Sequence, residues 1–315
     1  MSFFYTCVIF ILGLILLIKS SDLLVDSCVG LSFLLKLSPL FIGLILVAFG
    51  TSAPEAGVTI TAVLTGEKSI ALGNIIGSNI VNIGLVIGLC GLFFPTPIEK
   101  KILDREVPFL LFATLFFGFL GLDGELSRLD GIFMLFFLLI FIVLSLRSAK
   151  HNMAEPEIAM LPFFKKIKSG WVMTGFIFIF LAGIILGANL MVRSGIIIAR
   201  LLGIKPWIIG ITVFAIGTSL PEFAASLNAS FKRVHALSIG NVIGSNIFNI
   251  LFVLGLASFI KPIDIPDTII CFEFPVLLLF TIIFSVIMYT GRMITRLESG
   301  FLVFMYAVFM FFLFK

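Results

Sequence analysis

Two glutamates of this chain stand where a carboxylate is expensive. Glu55 and Glu222 are the only charged residues of four long apolar stretches, near 39–66, 70–94, 206–231 and 237–260. A charge at membrane depth costs from roughly 2.5 kcal/mol to more than 10, so such a residue is expected to face a cavity or a partner. Neither Lys nor Arg shares these stretches, which leaves a pair of inward carboxylates waiting for a cation. The bland alternative is a pair of protonated glutamates packed as neutral hydrogen-bonding groups.

Each glutamate follows a proline, in Gly50-Thr51-Ser52-Ala53-Pro54-Glu55 and Gly217-Thr218-Ser219-Leu220-Pro221-Glu222. Proline lacks the N–H that would bond four residues back, which frees the carbonyls of Gly50 and Gly217, and glycine admits unusual dihedrals. Freed carbonyls at membrane depth need protein or a water-lined cavity to satisfy them. They are also hard oxygen donors of the kind that Ca²⁺ and Na⁺ require. Simple structural kinks are the competing reading.

A second motif places Asn74, Ser78 and Asn82 at i, i+4 and i+8, and Asn241, Ser245 and Asn249 likewise. That spacing puts each trio on one helix face. Gly73 and Gly77, like Gly240 and Gly244, add a pattern of small residues that lets another helix approach closely. For Asn74 and Asn241, interhelical hydrogen bonding and ion coordination are equally open. For Ser78, Asn82, Ser245 and Asn249, nearer the presumed centre, coordination is the expectation.

Every candidate donor is an oxygen. His151 and His235 fall in loops, and Cys7, Cys28, Cys90 and Cys271 lie in apolar segments without a spacing pattern, so they read as packing residues. Zinc and copper sites draw on nitrogen or sulfur. Six to eight flexible oxygens suit Ca²⁺, whereas Mg²⁺ dehydrates reluctantly.

The elements that hold these residues must span a bilayer. The chain is 60% hydrophobic and 12% charged with a mean hydropathy of +1.25, against about 25% charged residues in ordinary globular proteins. Its apolar runs are long and continuous, as spanning helices require, and lack the alternation of barrel strands. Ten segments separate, near 3–35, 39–66, 70–94, 107–122, 129–146, 170–200, 206–231, 237–260, 269–288 and 299–314. The first run has no basic residue before it and reads as a retained span.

Residues 39–98 align with 206–265 at a constant offset of 167, with 24 of 60 positions identical. The matches are mainly Gly, Ser, Asn, Thr, Pro and Glu, which marks a duplication. Five spans separate the copies, an odd number, so the second copy crosses in the opposite sense. The expected fold is therefore all-α and membrane-integral, ten transmembrane helices in two inverted five-helix repeats. Residues 1–146 form the first, 147–169 a linker and 170–315 the second. In inverted-repeat transporters the site lies near the midplane where the repeats meet.

Lys and Arg set the orientation. The loops and terminus on the N-terminal side carry six, Lys68, Arg128, Arg200, Lys205, Lys261 and Lys315; the opposite side carries thirteen. The positive-inside rule puts the 147–169 loop in the cytoplasm and both termini outside, in a multi-pass protein of the cell membrane. The net charge of +4 bears on this orientation and not on nucleic acid.

The paired motifs, Gly-Thr-Ser-x-Pro-Glu followed by Gly-Ser-Asn-x-x-Asn, resemble the α-repeats of the calcium/cation antiporter superfamily, in its sodium/calcium exchanger branch. The resemblance implies secondary antiport of Ca²⁺ against Na⁺ by alternating access, with no enzymatic step, no cofactor and no obligatory protein partner beyond lipid. It implies that Glu55 and Glu222 are the principal calcium ligands and share a sodium site, with Thr51 and Thr218 contributing to the calcium site. Ser52, Ser78, Ser219 and Ser245 would complete sodium sites with the carbonyls of Ala48 and Ala215, and Asn82 and Asn249 would fill the remaining central pair. Some members, the potassium-dependent exchangers among them, carry Asp where this chain has Asn249, which argues against potassium co-transport. The linker is too short for the calcium-sensing domains of animal exchangers and resembles the minimal prokaryotic form.

A proton-coupled calcium exchanger is the alternative transporter, though those relatives have a different glutamate motif. An intramembrane enzyme would need a nucleophile–base pair with an orienting third group, which the spans lack. A channel remains open as a third class, against which the inverted duplication weighs.

Overall fold

The structure, a computed structural model, describes residues 3–149, 162–201, 217–267 and 269–313. Among these, eight helices are long and apolar enough to cross a membrane, and one bent pair makes a ninth span. They are α1 (Phe3–Leu35), the bent pair α2 (Pro39–Thr51) and α3 (Ala53–Thr65), α4 (Lys68–Phe93), α5 (Ile102–Asp123) and α6 (Arg128–Ala149). The second half supplies α7 (Gly170–Leu201), α8 (Leu220–Phe231), α9 (His235–Ile260), α10 (Ile269–Tyr289) and α11 (Arg296–Leu313). The short α8 covers the latter part of the expected span near 206–231, whose earlier part lies outside the described residues, as does most of the 147–169 linker.

Several spans begin earlier than their apolar runs. α5 starts at Ile102 instead of 107 because its first turn hides its charge: Arg105 pairs with buried Glu106 and donates to the Leu144 carbonyl at 2.6 Å. Before α6, Ser127 and Asp130 cap each other, the Ser127 N–H reaching Asp130 Oδ2 at 2.8 Å and the Asp130 N–H returning to Ser127 Oγ at 3.3 Å. Thr295 and Glu298 repeat the arrangement before α11, at 2.8 and 3.3 Å. Both are reciprocal capping boxes, which satisfy the orphan N–H groups of a helix start.

Two bodies share the interior. α1 packs along α7 around Leu24, Val25, Cys28, Ile177 and Ile184. Residues of α2 and α8 join that core, and most other spans gather about α4 and α9, of whose apolar stretches 78% is buried, against 22–39% for the other long spans. The helices that carry the Asn/Ser stripe are therefore the innermost ones. Both widen into π-helical turns directly after the stripe, at Asn82–Ile87 and Asn249–Leu254, a departure often found at functional sites.

Loop contacts follow the alternation of the spans. Thr96–Pro97 (β1) pairs with Met293–Ile294 (β4), and Glu125–Leu126 (β2) with Ile263–Asp264 (β3), both antiparallel. Lys68 meets Asp264 at 2.5 Å beside the second pair. Each contact joins loops that the count of spans puts on the same face.

Candidate ion-binding site

The bend between α2 and α3 is 43° and falls at Ser52, one residue before the helix that Pro54 opens. Proline is tolerated in a first helical turn because no N–H is needed there. Glu55 thus sits in the first turn of α3, and Glu222 in the first turn of α8. Gly50 is helical and has no positive φ. Its role differs from the unusual dihedral expected of it: a Cβ there would lie 2.3 Å from Leu181 of α7, and one at Gly217 would lie 2.9 Å from Val192. These glycines make room for α7.

Both glutamates are fully buried, and no ion pair among the described residues involves either one. The hydroxyls of Thr218 and Ser78 face the Glu55 carboxylate, yet neither Glu55 oxygen has a hydrogen-bond partner. Thr51, Ser52 and Ser245 face Glu222, and Ser52 Oγ donates to Glu222 Oε1 at 3.3 Å. The repeats interlock here. Thr51 of the first meets Ser245 of the second at 3.4 Å, and Ser78 of the first meets Thr218 of the second at 3.4 Å.

Among the described residues ten buried side-chain atoms lack a partner, and six of them fall on the expected site residues: both Glu55 oxygens, Glu222 Oε2, Asn82 Oδ1, Asn249 Oδ1 and Ser219 Oγ. All six are oxygens that can accept. Buried polar groups are rarely left unpaired, and carboxylates without compensation are the most expensive of them. A buried set of oxygen acceptors with hydroxyls as its nearest neighbours is the kind of set from which a hard cation's inner shell is built.

Other residues take different places. Asn74 donates to the Glu55 carbonyl at 3.3 Å and to Thr59 Oγ1 at 3.0 Å, and Asn241 to the Glu222 carbonyl at 3.3 Å and Ser226 Oγ at 2.9 Å. These are the interhelical hydrogen bonds of one of their two readings, and they tie the glutamate helices to α4 and α9. The Ala48 carbonyl accepts the Ser52 N–H at 3.0 Å, and the Thr51 hydroxyl lies 3.4 Å from it but closer, at 3.2 Å, to Asn241 Oδ1. Ala215 lies outside the described residues.

Gly240 and Gly244 let α9 touch the backbone of α2; a Cβ at Gly244 would come 2.3 Å from the Leu44 carbonyl oxygen. Among the described residues nothing lies within 4 Å of a Cβ placed at Gly73 or Gly77.

Sequence reasoning passed over Asn79 and Asn246, although both stand in the repeated motif. They are buried and pair across the repeats: Asn249 Nδ2 donates to Asn79 Oδ1 and Asn82 Nδ2 to Asn246 Oδ1, each at 3.0 Å. Their duplication in both copies was the available signal.

The family model described as "Sodium/calcium exchanger protein" matches residues 5–147 and 172–315. The chain belongs to the sodium/calcium exchanger family. This is a family of transporters, not enzymes. Sodium/calcium exchanger MaX1 of Methanosarcina acetivorans is 32% identical over 342 aligned positions, covering 97% of each chain. Inner membrane protein YrbG of Escherichia coli is 36% identical over 286 positions, covering 88% of this chain and 86% of the relative. In a solved structure the sodium-calcium exchanger NCX_Mj superposes with a TM-score of 0.85 at 29% identity, covering 98% of both chains. The ten-helix inverted-repeat architecture is thus that of a minimal prokaryotic exchanger.

In this exchanger a cavity among the described residues leads toward the cluster. With a volume of about 400 Å³, it reaches Thr218 and both motif prolines, passing Gly57 and Val58 of α3 and Asn189 of α7. The positions 167 residues away that match Gly57 and Val58 are Ala224 and Ala225, buried at 7% and 3% exposure. Among the described residues the first stretch lines a cavity and its counterpart is packed.

Proposed function

We propose that this exchanger moves Ca²⁺ against Na⁺ by alternating access, through the oxygen cluster centred on Glu55 and Glu222. The observation that carries the proposal is the set of six buried, partnerless oxygens drawn from both repeats. Their number and hardness suit Ca²⁺, and carboxylates and hydroxyls also suit Na⁺. The names of MaX1 and NCX_Mj point the same way. In this reading Glu55, Glu222, Thr51 and Thr218 bind calcium. Ser52, Ser78, Ser219, Ser245 and the carbonyls of Ala48 and Ala215 bind sodium, and Asn82 and Asn249 close the centre.

The cavity and its packed counterpart support alternating access, since inverted repeats can exchange conformations about a fixed midplane site. Residues 1–146 and 170–315 act as the two repeats, joined by a cytoplasmic linker at 147–169. With the basic-rich face in the cytoplasm of a cell-membrane protein and both termini outside, the conformation described here is open outward. The chain works without an obligatory protein partner.

Counter-flow in proteoliposomes tests the function. Vesicles loaded with Na⁺ and diluted into sodium-free medium should accumulate Ca²⁺, and dissipating the sodium gradient should stop it. Uptake driven equally by a proton gradient in sodium-free vesicles would instead establish the proton-coupled reading.

A further inference from the structure

An asparagine at a cation site has an ambiguity that a carboxylate lacks. Its amide can turn either an oxygen or an NH₂ toward the ion, and the NH₂ repels it. Asn82 and Asn249 are buried, and both aim an unpartnered Oδ1. Something must hold them that way round.

A chain of hydrogen bonds sets the direction. The Asn246 backbone carbonyl can only accept, so the Asn79 side chain must turn its Nδ2 to it, at 3.3 Å. That leaves Asn79 Oδ1 as an acceptor on the opposite branch, where Asn249 must answer with its Nδ2, at 3.0 Å. Asn249 Oδ1 is then forced away from Asn79. The mirrored chain runs from the Asn79 carbonyl through Asn246 Nδ2, at 3.4 Å, to Asn246 Oδ1 and Asn82 Nδ2, at 3.0 Å. Amide orientation is ordinarily an assignment from the surrounding network; here two backbone carbonyls fix it without ambiguity. The four asparagines also cross between α4 and α9, so each repeat orients the amide of the other.

We infer that Asn79 and Asn246 are positioning residues: they lock the amides of Asn249 and Asn82 with oxygen toward the transported cation, and so set the cation affinity of the site. The inference rests on the ion-site reading above and adds to it residues that touch no ion. A consequence concerns residue 249. An ionised Asp there has two equivalent oxygens and needs no orienting, but it would meet Asn79 Oδ1, an acceptor facing an acceptor. The orienting device and an amide at 249 belong together.

The test is a double-mutant cycle on sodium-gradient-driven Ca²⁺ uptake in proteoliposomes. Asn79→Leu, close in size, removes the orientation, and the apparent KM for Ca²⁺ should rise about 10-fold or more, the usual effect of losing a group that orients a metal ligand. In an Asn249→Asp background the same substitution removes a repulsion, so the KM should stay level or fall. This reversal of sign is what a purely packing role of Asn79 cannot produce. Asn246→Leu should act through Asn82 in the same way and serves as the second variant if Asn79→Leu does not fold. An equal rise in KM in both backgrounds, or no change in the folded single variants, would overturn the inference. Absence of sodium-driven uptake in the wild-type protein would instead remove the ion-site reading itself.

Discussion

Lys232 sits where the packed face of the site is sealed, and its loss should open that face. Its Nζ lies 2.6 Å from Asp26 Oδ1 and 2.8 Å from Asp22 Oδ1, and donates to the Asp22 carbonyl at 2.9 Å. It thereby ties the end of α8, the helix of Glu222, to α1. The two pairs are unequal. The Asp22 side chain is 39% exposed, and such a pair contributes about 1 kcal/mol or less. That of Asp26 is 2% exposed, and removing one partner from a buried pair costs about 3–5 kcal/mol. Lys232→Met keeps much of the apolar stem and strips the positive charge that faces Asp26. A conformer that hydrates Asp26 escapes that cost, so the balance should move toward opening on this side by up to two or three powers of ten, at about 1.4 kcal/mol for each. The assay is the maleimide reaction rate of a single cysteine at Ala225, the buried counterpart of Val58, on a background lacking the native cysteines. The rate should rise in Lys232→Met and return to its slow value in Lys232→Met/Asp26→Leu, where only the half-exposed Asp22 carboxylate remains. An unchanged rate in folded Lys232→Met would refute the reasoning.

Three further outcomes follow from the geometry. Gly244→Ala drives a Cβ to 2.3 Å from the Leu44 carbonyl oxygen, and overpacking of this kind should cost about 1–3 kcal/mol, seen as a lower melting temperature in detergent; Gly175→Ala, with nothing within 4 Å, should not lower it. Lys68→Ala removes a pair whose side chains are 26% and 71% exposed, so stability should change by less than about 1 kcal/mol in the same melt. A reporter cysteine introduced in 147–169 should be labelled only from the cytoplasmic side of intact cells, and labelling from outside would invert the orientation.

Much of the architecture could be read from the sequence because lipid simplifies the code. A helix in a bilayer must be apolar throughout and satisfy its own backbone, so the described spans α1, α4, α6 and α10 fall within a few residues of their hydrophobic runs. The glutamates were legible because charge in that setting is conspicuous, and the duplication said where the repeats meet. What escaped detection depends on partners far apart in the chain. The early start of α5 needs Arg105 to neutralise Glu106 and reach Leu144, which no hydropathy scale anticipates. Gly50 reads as a dihedral device until Leu181, 131 residues later, is seen against it. The matched Asn79 and Asn246 gave no hint of pairing across the repeats, because a helix face predicts direction and not the group it meets. Lys232 looked like a loop cation counted for orientation, and only the fold brings α1 beneath it.

The central claim is that Glu55 and Glu222 together hold the transported calcium, and the most direct measurement is sodium-driven Ca²⁺ uptake by reconstituted Glu55→Gln and Glu222→Gln proteins. Each amide keeps the shape of the side chain and removes one negative charge facing a divalent ion, and each variant should insert and fold normally because a neutral group is less costly in the membrane. Uptake should fall to nearly nothing in both. Near-normal Ca²⁺ uptake by a well-folded Glu222→Gln protein would contradict the account.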